Sequence, residues 1–165
     1  MKRTFYTLLI IGVLTSALTL SSCKDSLVYD HYTHTPIAGW EKNDTLSFDI
    51  PPLEASGDYK EQLGLRITGA YPFMGLTLIV EQTIYPDKSK KWEKTVKSDT
   101  IQCDLIDKNG VTRGQGISYY QYNFPVAVHS LCEKDSLHIT VRHDMKREIL
   151  PGISDIGLKV ERVRE

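Results

Sequence analysis

The sequence predicts an all-β fold, an antiparallel β-sandwich of about seven strands, and three observations carry that prediction. Apolar residues recur at every second position in seven separate segments, which is the period of a half-buried strand. Turn signals divide the segments, the clearest being Tyr71-Pro72, Tyr85-Pro86, Asn109-Gly110 and Pro151-Gly152. No segment sustains a helical period, and the one helical suspicion, Ser56 to Leu63, is short.

The N-terminus is read separately. Lys2 and Arg3 make a positive start, Phe5 to Leu20 an uncharged apolar run, and Leu20-Ser21-Ser22-Cys23 sets a cysteine directly after two small residues. That order is a secretory signal peptide. It also fits the bacterial lipobox, where the thiol is alkylated by diacylglycerol, the chain is cut before the cysteine, and the new amine is acylated. Cys23 is therefore the candidate lipidation site, with palmitate-type chains as the anchor. The apolar run falls short of the ~20 residues of a bilayer span. Each buried methylene contributes about 0.8 kcal/mol and one chain holds only marginally, so two or more chains make a lasting anchor. The expected organisation is a lipoprotein signal peptide over 1–22, a lipidated tether over 23–43 and a β-sandwich domain over 44–165.

Residues 24–43 are polar and aperiodic, ordered only near Trp40, the first large apolar anchor. Thr45 to Ile50 then puts Leu46, Phe48 and Ile50 on one face, and Pro51-Pro52 ends it. Leu63, Leu65 and Ile67 alternate with polar or small residues, as do Leu76, Leu78 and Val80 within Gly75 to Tyr85. Thr95 to Ile106 carries Ile101, Cys103 and Leu105. Ile117 to Val128 is rich in tyrosine; Leu137, Ile139 and Val141 form another face, and Ile156, Leu158 and Val160 the last. Asn109-Gly110 predicts a type I′ turn, whose two central residues need positive φ.

Cleavage before Cys23 removes Lys2 and Arg3 and no acid, taking the formal charge from −1 to −3. The remaining chain is one domain of ordinary size. It has no basic stripe for nucleic acid. Cys103 and Cys132 are left, and an oxidising envelope compartment permits a disulfide between them. The bridge would close about 30 residues and contribute roughly 3 kcal/mol. The alternative is two separate thiols.

The chemical suspects are weak. His31 and His34 flank no third ligand, so they are read as part of a solvated tether and no metal site is expected. His138 and His143 differ by an odd number and point to opposite faces of a strand, which denies Asp144 and the two histidines a local catalytic arrangement. Gly152 to Gly157 resembles a nucleophile elbow with one residue too many. Gly114-Gln115-Gly116 is too short for a phosphate loop. No catalytic residue and no cofactor is expected. Tyr119, Tyr120 and Tyr122 form a candidate interaction surface; otherwise Tyr120, Tyr122 and Phe124 are a core face and Tyr119 a rim residue. Aspartate, then Ser or Thr, then an aliphatic residue occurs at Ser26, Thr45, Thr100 and Ser136. This resembles an O-glycosylation acceptor pattern of Bacteroidetes, and it is also how a strand starts after a turn.

An ordered set of segments resembles the gliding-motility lipoproteins of the GldH type from Bacteroidetes. The set runs from the lipobox cysteine and Val28-Tyr29-Asp30 through Gly39-Trp40 and Asp44-Thr45-Leu46-Ser47-Phe48. It continues with Tyr71-Pro72-Phe73 and Leu76 to Val80, then Asp99-Thr100-Ile101 and Asp107 to Gly110. It ends with Met145-Lys146-Arg147 and Leu150 to Leu158. The resemblance implies a non-enzymatic part in envelope gliding and secretion machinery, with other envelope proteins of that apparatus as partners. Placement at the outer membrane, facing the periplasm, is expected. Lys24-Asp25 partly resembles a surface-export signal. A glycan-binding lipoprotein is the alternative.

Overall fold

The computed structural model describes residues 26–87, 89 and 93–163. It is all-β and antiparallel, with no helix among the described residues. Ten strands follow in chain order: β1 (Leu27–His34), β2 (Trp40–Glu41), β3 (Leu46–Ile50), β4 (Gly57–Thr68), β5 (Gly75–Tyr85), β6 (Thr95–Asp104), β7 (Tyr119–Leu131), β8 (Ser136–His143), β9 (Ile149–Leu150) and β10 (Ile153–Arg162). The first sheet has the order β1-β10-β4-β7 and the second β3-β8-β5-β6, while β2 and β9 pair as a short ribbon. Alternation fills one core from both sheets. Leu63, Leu65 and Ile67 of β4 and Leu158 and Val160 of β10 share it with Leu78 and Val80 of β5 and Ile139 and Val141 of β8. Each such side chain contributes on the order of 2 kcal/mol by leaving water.

All seven predicted segments are strands, and β1, β2 and β9 are added to them. The expected tether over 23–43 is corrected from Leu27 onward. Residues 27–34 pair with β10 from Leu27 opposite Glu161 to His34 opposite Asp155, with a bulge near Val28. β1 is an edge strand with polar groups on both faces, so hydrophobic alternation could not reveal it. Ser56 to Leu63 is not helical but lies mostly in β4. There Glu61 takes an inward position between Tyr59 and Leu63, and one buried acid hides the period of two. The type I′ expectation for Asn109-Gly110 is also corrected. Gly110 has φ 80°, but Asn109 keeps negative φ. The Asp107 carboxylate accepts from the Asn109 and Val111 amides at 2.8 and 2.9 Å, so a side-chain cap fixes a wider loop.

Trp40 clips the β2–β9 ribbon onto the sandwich. It is fully buried, donates from Nε1 to the Asp44 carbonyl at 3.0 Å, and accepts at its own carbonyl from His143 Nε2 at 3.2 Å.

Cys103 and Cys132 are free thiols, so separate thiols, not a bridge, are what the fold contains. Cys103 lies in the core and Cys132 in an exposed turn. Burial pushes the Cys103 thiol up to about 12. Thiolate is the reactive form, so a maleimide is expected to label Cys132 promptly and Cys103 only on unfolding. Two equally fast thiols in the native protein would contradict this packing.

Candidate functional site

Because Leu63, Leu65, Leu158 and Val160 point inward, their neighbours on β4 and β10 point out, and antiparallel register aligns those neighbours in rows across the first sheet. One row is Asp30, Lys159 and Gln62. The next is Tyr32, Gly157, Gly64 and Asn123. The third is His34, Asp155, Arg66 and Gln121.

The middle row shapes the surface. Two glycines side by side on adjacent strands leave the sheet bare, and the Tyr32 ring lies over both. A Cβ on Gly157 would stand 2.5 Å from Tyr32 Cε1, and one on Gly64 would stand 2.6 Å from Tyr32 Cζ. The Arg66 guanidinium sits 4.0 Å from the centroid of that ring, a cation–π contact. Gln121 joins them, accepting from Arg66 Nε and donating to the Tyr32 hydroxyl, both at 3.3 Å. Burial, opposed by Arg66, raises the Tyr32 hydroxyl above its usual range, so it stays protonated. The result is a groove of about 270 Å³ lined by Asp30, Gln62, Arg66, Asn123 and Lys159 around this assembly. Lys159 is held by Glu161 at 2.7 Å, and His34 pairs with the buried Asp155 at the far side of the third row.

A second polar group lies inside the sandwich. Glu61 of β4, Gln82 of β5 and His129 of β7 are all buried, and they connect outward to Lys97 and Asp99 of β6. Lys97 Nζ donates to His129 Nδ1 at 3.1 Å, which assigns the remaining imidazole proton to Nε2. His129 Nε2 points at Glu61 Oε1 from 3.6 Å. Gln82 Nε2 donates to Asp99 at 2.9 Å, leaving Gln82 Oε1 without a donor. Both Glu61 carboxyl oxygens and His129 Nε2 likewise lack a hydrogen-bond partner, and a protonated, neutral Glu61 is the form that leaves no unpaired charge there. Its carboxyl, desolvated by burial, is pushed up to about 7. Burial first, and then Lys97, holds His129 below its usual value.

The predicted site residues scatter. Cys23 lies outside the described residues, as do Lys24 and Asp25. Tyr119 is exposed at 55 %, Tyr120 packs on the core, and Tyr122 is buried at 6 %. The three therefore make no common surface: the Tyr122 hydroxyl donates to the Leu105 carbonyl at 3.0 Å and meets the Thr112 hydroxyl at 2.6 Å. Thr45 and Thr100 are exposed, Ser26 and Ser136 half-buried. His138 meets Asp49 on the surface at 2.6 Å, whereas His143 is buried edge-on to Trp40, 5.2 Å between centroids. No three His, Cys, Asp or Glu side chains among the described residues converge as a metal site.

Sequence reasoning missed Tyr32, which it placed in the tether, and Arg66, Gly64 and Gly157. A signal existed: a glycine inside an apolar strand pattern marks close approach by another group, and this chain has two that turn out to be neighbours.

Among solved structures the chain is similar to a GH115 4-O-methyl-α-glucuronidase with specificity for decorated arabinogalactans. The TM-score is 0.41 at 11 % identity, over 87 % of this chain and 18 % of that one. It is also similar to an aminopeptidase from a marine-sediment archaeon, with a TM-score of 0.37 at 11 % identity over 84 % and 31 %. The chain spans about a third or less of either, and at such scores neither likeness bears on function. The gliding motility lipoprotein GldH of Flavobacterium johnsoniae is 25 % identical over 156 residues, 90 % of this chain and 93 % of that one. The family model described as GldH lipoprotein matches residues 27–160, from the first residue of β1 to nearly the end of β10, and the chain belongs to that family.

Proposed function

We propose that the protein is a lipid-anchored, non-enzymatic interaction component of gliding and secretion machinery at the outer membrane, facing the periplasm, with Cys23 as the acylated residue. The observation that carries this reading is the groove, a recognition surface preformed on the middle strands of a sheet in a member of a gliding-motility lipoprotein family. Confinement to a membrane raises effective concentration, so modest contacts there suffice. Envelope proteins of the same apparatus are the expected partners. A second reading, glycan binding, is favoured by the polar lining of the same groove.

Cross-linking in the native envelope, read by mass spectrometry, tests the first reading. Repeated cross-links from the first sheet to envelope proteins support it, and a protein found uncross-linked in the soluble fraction overturns it. Cys23→Ser is expected to abolish labelling by a palmitate analogue and to release the protein from membranes. Unchanged membrane association would remove the anchor. The intact mass of the native protein reports any O-glycan on Ser26, Thr45, Thr100 or Ser136; a mass equal to lipid plus polypeptide excludes one.

A further inference from the structure

We infer that the groove around Arg66 binds a carboxylate-bearing sugar residue, as found in an acidic glycan; the inference rests on the groove being a recognition surface, as proposed above. Arg66 is the first reason. Its Nε donates to Gln121 and its Cζ lies 4.0 Å from the centroid of the Tyr32 ring, yet no carboxylate among the described residues makes an ion pair with it. Its terminal amino groups are left as an oriented fork. Such a fork matches a carboxylate with two parallel bonds, and an oriented one loses little freedom on binding.

The rest of the lining decides what carries that carboxylate. The Gln62 and Asn123 amides can both give and accept hydrogen bonds with hydroxyl groups, and the Asp30 carboxylate can accept them. Stacking of a sugar on Tyr32 is blocked, since one face of the ring lies on the glycines and the other beneath Arg66. An extended peptide is disfavoured. The floor belongs to β10 and β4, whose backbone groups are already paired on both sides, so no strand can be added there. The lining also provides no apolar pocket to anchor a peptide side chain. Lys159 adds a second positive group beside the fork, shared with Glu161.

The test uses the full-length protein in detergent and isothermal titration with tetrasaccharides of glucuronate, galacturonate and mannuronate. Cellotetraose, hexaglutamate and inorganic phosphate are the comparison probes. At least one uronate tetrasaccharide is expected to bind saturably, with cellotetraose about tenfold weaker or worse. Arg66→Gln is expected to weaken the uronate about tenfold or more. Arg66→Lys keeps the charge without the fork and is expected to fall between; it decides the matter if Arg66→Gln does not fold. Tyr119→Ala, outside the groove, is expected to bind as the wild type does. No binding by any uronate, or binding unaffected by both Arg66 variants, overturns the inference. Equal binding of hexaglutamate or phosphate reduces the groove to a simple anion site and overturns the sugar. Equal binding of cellotetraose overturns the acid but leaves the recognition surface standing. Protein cross-links through the groove with no sugar bound overturn the inference alone.

Discussion

Between about pH 4 and pH 8 the wild-type protein is expected to lose roughly 3 kcal/mol of stability relative to a Glu61→Gln variant. The Glu61 carboxyl is pushed from an ordinary 4.5 up to about 7 because it is buried between the sheets. A raised carboxyl binds its proton more tightly in the folded chain than in the unfolded one. Its stabilisation is complete below 4.5, is lost as pH rises toward 7, and is flat beyond. Glutamine is a fixed neutral copy that can donate to Gln82 Oε1 and accept from His129. The facing groups, Gln82, His129, Lys97 and Asp99, are present in both proteins. His129 works in the opposite sense. Its lowered value gives stability that is present above 6.5 and lost as pH falls through the folded value. Because both proteins carry His129, their difference isolates Glu61. Urea unfolding at a series of pH values measures it, and parallel curves for the two proteins would defeat the neutral-carboxyl assignment.

Trp40→Ala is expected to cost about 3–5 kcal/mol. Among the described residues Trp40 is the largest side chain with no exposure, and β2, which carries it, pairs with β9 at only two positions. Its removal leaves a cavity beside His143 and frees the Asp44 carbonyl from its donor. Trp40→Phe, which refills most of the space, is expected to cost less than half as much. A fall in the urea midpoint at constant slope identifies lost stability; a midpoint within experimental scatter of the wild type would show that the ribbon is not held by this residue.

The sandwich was legible because seven of its strands bury one face and write that burial as alternation, as in Leu46-Ser47-Phe48-Asp49-Ile50. β1 escaped because its ladder to β10 is made by backbone groups, which leave no mark on composition. β2 and β9 are two residues each, too short for any period. The first half of β4 was obscured by Glu61, an acid in an apolar slot. The groove is a property of register: Gly64 and Gly157 are 93 positions apart in the chain and become neighbours only when β4 pairs with β10. Tyr119, Tyr120 and Tyr122 drew notice for their clustering, but strand geometry turns them to different faces and buries Tyr122.

The early start of β1 has a mechanical corollary. Only Lys24, Asp25 and Ser26 separate Cys23 from Leu27, at most roughly 15 Å of extended chain. With acyl chains on Cys23, the leash is too short for the body to wander. It would ride close to the lipid headgroups, with the Leu27 end of its first strand toward the bilayer, and whatever it meets must come down to that height.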